Sequence, residues 1–276
     1  MEIRFQNSPD EVRMMDTGEL RTNFLAEDLM QDNTIQFLYS HYDRVIIGGA
    51  KPLDKALKLE NDPELRSDYF LQRREMGVIN VGGPGTVSVG DERYELSKLD
   101  ALYIGKGAEN VSFSSSDKNI PACFFLMSAP AHHDYPTTKM TKDAASPANM
   151  GESVTANKRT IYKYIHADGI KSCQLVMGLT VLENGNVWNT MPPHTHTRRM
   201  EAYFYFDVAE QHRVFHFMGE PSETRHILIS NHQAVISPPW SIHAGCGTSN
   251  YAFIWGMAGE NYAFTDMDAV PISTIR

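Results

Sequence analysis

A chain of 276 residues, 42% hydrophobic and 21% charged, carries enough apolar material for one large or two modest folded cores, so disorder is not the default. Its formal charge of −9 argues against a nucleic-acid partner or an anionic membrane surface, both of which require a basic face. Cys123, Cys173 and Cys246 are scattered without CxxC spacing, the opening MEIRFQNSPDEVR has no apolar leader, and no stretch is long enough to cross a bilayer. The expectation is a cytoplasmic protein with reduced thiols.

Along the chain, residues 18–25, continuing to Leu29 and Met30, have the apolar spacing of a short amphipathic helix. From Phe37 the period changes to two. Strands are expected at 45–47, stopping at Gly48-Gly49, and at 78–81, 86–89, 93–96 and 101–104, each bounded by Gly, Pro or Asp turns. The polar stretch 130–158 reads as a linker, dividing the chain into halves 1–150 and 151–276. Strands resume at 172–182, 201–208, 214–218, 226–229, 233–236 and 251–257. Short strands at near-regular spacing, with few helices, predict a mainly β sandwich or barrel.

The halves echo each other weakly. His194-Thr195-His196 precedes Glu201 by five residues, and Asp68-Tyr69-Phe70 precedes Glu75 by the same count. Arginine pairs, Arg73-Arg74 and Arg198-Arg199, lie between, and Asn110 can be laid beside His243. A duplicated fold in which only the second copy keeps its imidazoles would give this pattern.

Of the eleven histidines, His132 and His133 fall in the linker, and His212, His216, His226 and His232 read as strand-edge or loop residues. His194 and His196 differ. They follow Pro192-Pro193, and an i, i+2 pair in extended backbone puts both rings on one face, a natural metal anchor. Glu201 adds a carboxylate, and His243 follows a Pro238-Pro239-Trp240 corner. An offset of five puts Glu201 on the wrong face of a continuous strand, so a metal site requires a bend or bulge across 197–200. Three nitrogens and one oxygen suit Zn²⁺, and also Mn²⁺, Fe²⁺, Co²⁺ or Ni²⁺.

His-x-His-x4-Glu with a distant Pro-x4-His resembles the metal motif of the cupin superfamily. It departs from that motif in having Trp240 where Gly is usual and in lacking the trailing Asn. The stretches YFLQRREMGVINVGG, DALYIGKGAE, WNTMPPHTHTRRMEAYFYF, ETRHILISNHQAVISPPWSIHAG and FIWGMAGEN make the whole chain similar to the 5-keto-4-deoxyuronate isomerase family. The resemblance implies a duplicated cupin (bicupin) with one Zn²⁺ per chain on His194, His196, Glu201 and His243. It also implies a hexamer, and ketol-isomerisation of a uronate-derived keto sugar acid in pectin breakdown.

Isomerisation of this kind needs a proton acceptor, and Glu201, Glu260, Tyr203, Tyr205 and a metal-bound hydroxide are candidates without a choice among them. Arg198 and Arg199 are the nearest cations for the substrate carboxylate. Alternatives are an Fe²⁺ cupin dioxygenase, which could use the same ligands, and a non-enzymatic sugar-acid-binding cupin.

Overall fold

A computed structural model describes all of residues 1–276. Two short helices near the start, Pro9–Met14 and Thr17–Phe24, each open with a reciprocal capping box, Ser8 with Glu11 and Asp16 with Glu19. The second helix ends at Phe24 and does not continue to Met30. Leu25–Ala26 is instead a strand, paired antiparallel with Ala234–Ser237. Leu25 and Leu29 are buried, so their apolar spacing records tertiary packing and not a longer helix.

The rest is mainly β and duplicated. The first large sheet runs, in spatial order, Glu2–Arg4, Ile35–Ser40, Ile46–Ala50, Phe124–Pro130, Arg74–Asn80, Ala101–Ile104 and Thr138–Met140. It is faced by Leu57–Lys58, Val111–Ser115, Gly85–Val89 and Glu92–Leu96. The second large sheet repeats the arrangement with Ala148–Met150, Arg159–Ile165, Val176–Leu182, Ala252–Gly259, Arg199–Phe206, Ala234–Ser237 and the borrowed Leu25–Ala26. Its smaller partner sheet is Trp188–Asn189, Ala244–Gly247, Val214–Glu220 and Glu223–Ile229. This is the double cupin barrel, with few helices.

Two expectations change. The strand at Ile46 runs through Gly48-Gly49, paired on both sides, and glycine is needed at 49 because a Cβ there would sit 2.3 Å from the Leu29 carbonyl oxygen. The stretch 130–158 is not a plain linker. Thr138–Met140 edges the first large sheet and Ala148–Met150 edges the second.

The two large sheets pack back to back. Phe125 stacks on Phe204 at 4.8 Å, and Gly77 lies so close to Met177 that a Cβ there would meet its sulfur at 2.1 Å. The first barrel's own interior is hydrocarbon, with Phe70, Met76, Val78, Phe113 and Phe124 in one cluster. Met76 therefore faces inward, as Glu201 does in the second barrel. Glu75 faces out, so the spacing of the two motifs is one residue out of step with the fold.

Glu75 is fully buried and accepts hydrogen bonds from the backbone N–H groups of Cys173 (2.7 Å), Gln174 (2.8 Å) and Leu175 (3.0 Å) and from the Tyr103 hydroxyl (2.7 Å). It braces the two halves. Each buried donor left unpaired costs about 1–3 kcal/mol. Glu75→Leu is expected to lower unfolding free energy by about 3 kcal/mol or more in urea denaturation, and Glu75→Gln by less. A Leu variant as stable as the parent would contradict the brace.

Candidate metal centre

His194 and His196 leave the short strand His194–Thr195, which pairs with Asp268–Ala269. The chain then turns: the Arg199 N–H donates to the His196 carbonyl at 3.4 Å, and the strand Arg199–Phe206 begins. That turn is the bend the five-residue offset demanded. It delivers Glu201 to the barrel interior, opposite Met257 and Ser237. Asp43, from the first half, fixes the start of the strand by accepting the Met200 N–H at 2.7 Å, and burial pushes its carboxyl up.

His243 arrives on a corner held by three bonds. Ser241 N–H donates to the Pro238 carbonyl (3.0 Å), Gly219 N–H to Ser241 Oγ (2.8 Å) and Ile242 N–H to the Gly219 carbonyl (3.0 Å). No residue from Pro238 to His243 adopts a left-handed conformation, so Trp240 serves where glycine is usual.

The donor atoms of His194, His196, Glu201 and His243 lie within 4.8 Å of one another. Glu201 Oε2 is 2.9 Å from both His196 Nε2 and His243 Nε2, and His243 Nε2 is 2.9 Å from His194 Nε2. His196, Glu201 and His243 are buried and His194 is half-buried. The His196 Nδ1 hydrogen donates to the Arg199 carbonyl at 3.0 Å, which leaves the Nε2 lone pair aimed at the cluster, as ligation requires. Ser237 Oγ lies 3.5 Å from His243 Nδ1.

Burial, followed by the neighbouring His243, pushes His194 down to about 3, so it is a neutral donor at physiological pH. Burial alone would raise the Glu201 carboxyl. The imidazoles of His243 and His196, each 2.9 Å away, outweigh it and hold the group well below the carboxylate range. One anionic oxygen and three imidazole nitrogens with no thiolate form a donor set that fits a divalent first-row cation.

Behind the cluster the barrel is polar. The Tyr203 ring lies 5.4 Å from that of His243, and its hydroxyl is 2.9 Å from Thr190 Oγ1. The Tyr205 hydroxyl bonds His216 Nδ1 at 2.8 Å, and Asn189 Nδ2 donates to the Tyr251 hydroxyl at 2.6 Å. Burial holds Tyr203 and Tyr205 well above the ordinary phenol range, so they are hydroxyls and not bases at neutral pH. Glu260 is exposed at the end of its strand.

His216 is not a strand-edge residue as expected. It is fully buried in the barrel, and its Nε2 has no partner. It shares a face with buried Val214 and Met218, but the phenylalanines at 215 and 217 make both faces of this strand apolar in sequence, which hid the inward face.

The two candidate carboxylate-binding arginines are committed elsewhere. Arg198 donates to Asp266 (2.7 Å) and Asp268 (2.8 Å). Arg199, wholly buried, donates to the carbonyls of Ala263 (2.6 Å), Asp266 (3.0 Å) and Phe264 (3.4 Å). Both tie the C-terminal segment to the ligand loop.

The pattern of the KduI/IolB family matches residues 24–271. The chain belongs to the KduI/IolB family. It is 55% identical over 276 residues to the 4-deoxy-L-threo-5-hexosulose-uronate ketol-isomerase of Shouchella clausii, covering 100% of both chains. It is 52% identical, again over 100% of both, to the protein of the same name from Bacillus subtilis. Among solved structures, an IolB-like protein from Salmonella typhimurium has a TM-score of 0.72 at 13% identity, with 90% of this chain and 97% of that one covered. The oxalate decarboxylase of Lactobacillus farciminis has a TM-score of 0.63 at 10% identity, covering 89% and 88%. These two structures establish the cupin fold of this family member. No helix is long and apolar enough to cross a membrane.

Burial pushes His216 down from 6.5 to about 3. As pH falls below 6.5 the unfolded chain binds this proton first, so stability decreases by about 1.4 kcal/mol per pH unit until the folded value is reached. In metal-stripped protein, His216→Phe should flatten the loss of unfolding free energy between pH 6.5 and 4. Equal slopes for parent and variant would contradict the buried neutral ring.

Proposed function

We propose that this chain is a zinc-dependent ketol-isomerase. It converts 5-keto-4-deoxyuronate (4-deoxy-L-threo-5-hexosulose uronate) to 3-deoxy-D-glycero-2,5-hexodiulosonate in pectin and uronate breakdown. The observation that carries the reading is the convergence of His194, His196, Glu201 and His243 within 4.8 Å, in a chain that is 50–55% identical to ketol-isomerases over at least 98% of its length. In this reading those four side chains are the ligands of one Zn²⁺, residues 151–276 form the metal-binding half and residues 1–150 the half without ligands. The protein acts in the cytoplasm as a homo-oligomer, a hexamer by family resemblance, on a small sugar acid.

The chemistry is balanced within one substrate. A proton leaves the hydroxyl-bearing carbon and returns to the neighbouring carbonyl carbon, while the hydroxyl proton passes to the former carbonyl oxygen. Bound zinc would polarise that carbonyl and stabilise the negative charge that develops on oxygen. The chain's own residues supply the rest. Glu201, if it leaves the metal, is the one carboxylate among the candidate bases inside the barrel, Glu260 being exposed. The Tyr203 hydroxyl, steadied by Thr190, is a neutral donor beside it. The apolar rings of Phe253 and Trp255 line the same face and keep water out.

Incubation of the purified protein with unsaturated-uronate digest, followed by NMR, is expected to show aldehyde signals replaced by those of the ketose without oxygen consumption. His243→Ala should lose metal and turnover together while its circular dichroism stays that of the parent, because the barrel has its own apolar core. Full metal occupancy in that variant would refute the ligand assignment.

A further inference from the structure

The functional reading above requires a cation for the substrate carboxylate, and the arginines flanking the ligands are committed elsewhere. Two other basic residues share the inward face of the second barrel. Arg159 begins the strand Arg159–Ile165 opposite Leu182, whose N–H bonds the Tyr251 carbonyl at 3.1 Å. Lys163 lies opposite Gly178, in the row that continues through Trp255 to Tyr203. The Lys163 ammonium sits over the Phe264 ring, 5.2 Å from its centroid, and so has a partner.

Arg159 differs. It is half-buried, and its one hydrogen bond is from Nη1 to the Asn157 carbonyl at 2.8 Å. Its electrostatic neighbours are the phenols of Tyr203 and Tyr251 and not a carboxylate. Burial pushes its pKa down. Tyr203, in turn, packs on His243. A guanidinium with free donors, sharing the barrel interior with the cluster but set off from it by a tyrosine, matches a sugar acid whose reacting carbonyl and carboxylate lie at opposite ends of one chain.

We infer that Arg159 holds the substrate carboxylate, placing the aldehyde end at the His194–His196–Glu201–His243 cluster and selecting uronates over neutral sugars. A planar fork suits a carboxylate better than an ammonium does.

The test compares Arg159→Gln and Arg159→Lys with the parent, using the uronate substrate for kinetics and galacturonate and its uncharged methyl ester for equilibrium binding by NMR. The Gln variant is expected to raise KM by about ten- to a hundredfold with little change in kcat, and the Lys variant to recover part of the loss. Galacturonate binding should weaken in the Gln variant while that of the ester does not, with metal content and circular dichroism unchanged. An active parent whose KM survives Arg159→Gln, above all if Arg198→Ala raises it instead, overturns the assignment and leaves the isomerase reading intact. A parent that turns over no uronate defeats that reading. The galacturonate comparison then decides Arg159 alone, and equal binding by parent and Gln variant, or none by the parent, overturns it.

Discussion

A carboxylate sealed from water at the end of a barrel is the constraint on which the rest of the structure depends. Glu201 is 3% exposed, and an isolated charge in that position would be driven to neutralise. It stays ionised because His196 and His243 approach to 2.9 Å and His194 completes the ring of donors. Each of those histidines needs its own support. The turn at 196–199 reverses the strand parity, the Pro238 corner returns His243, and the Arg199 carbonyl fixes the His196 tautomer. Arg198 and Arg199 then hold the C-terminal segment against the ligand loop.

The two copies of the barrel have diverged in what they enclose. In the first, Met76 and Phe70 fill the interior with hydrocarbon and Glu75, one position away, turns outward to cap three backbone amides of the other half. In the second, the corresponding strand points Glu201, Tyr203 and Tyr205 inward, and a polar interior of hydroxyls, His216 and Asn189 lies behind the donor cluster. Asp43 reaches from the first half to the Met200 amide, so the strand that carries Glu201 is positioned by both copies. The first half thus braces the strand that carries the second half's donor cluster.

Local patterns in the sequence revealed the β architecture and the donor residues, because period-two alternation and the His-x-His spacing are properties of single strands. Features set by contacts distant in the chain were not legible. Leu25 looked helical, but its burial comes from the pairing of Leu25–Ala26 with Ala234–Ser237. Gly48-Gly49 looked like a stop because nothing local indicates that the Leu29 carbonyl presses on that strand. His216 lies between two phenylalanines, so its strand looks apolar on both faces, and the partners of Arg198 and Arg199 lie on a segment about 65 residues away. Spacing alone also paired Glu75 with Glu201, although the two point to opposite faces of their sheets.

The central claim is that one divalent ion on His194, His196, Glu201 and His243 is what makes this barrel an isomerase. Titration of metal-stripped protein with Zn²⁺, with binding and uronate turnover followed in the same sample, tests it most directly. The account predicts that turnover is absent at the start, rises in proportion to bound zinc and saturates at one equivalent per chain. Full turnover in the stripped protein, or zinc bound at one equivalent with no return of turnover, would contradict it.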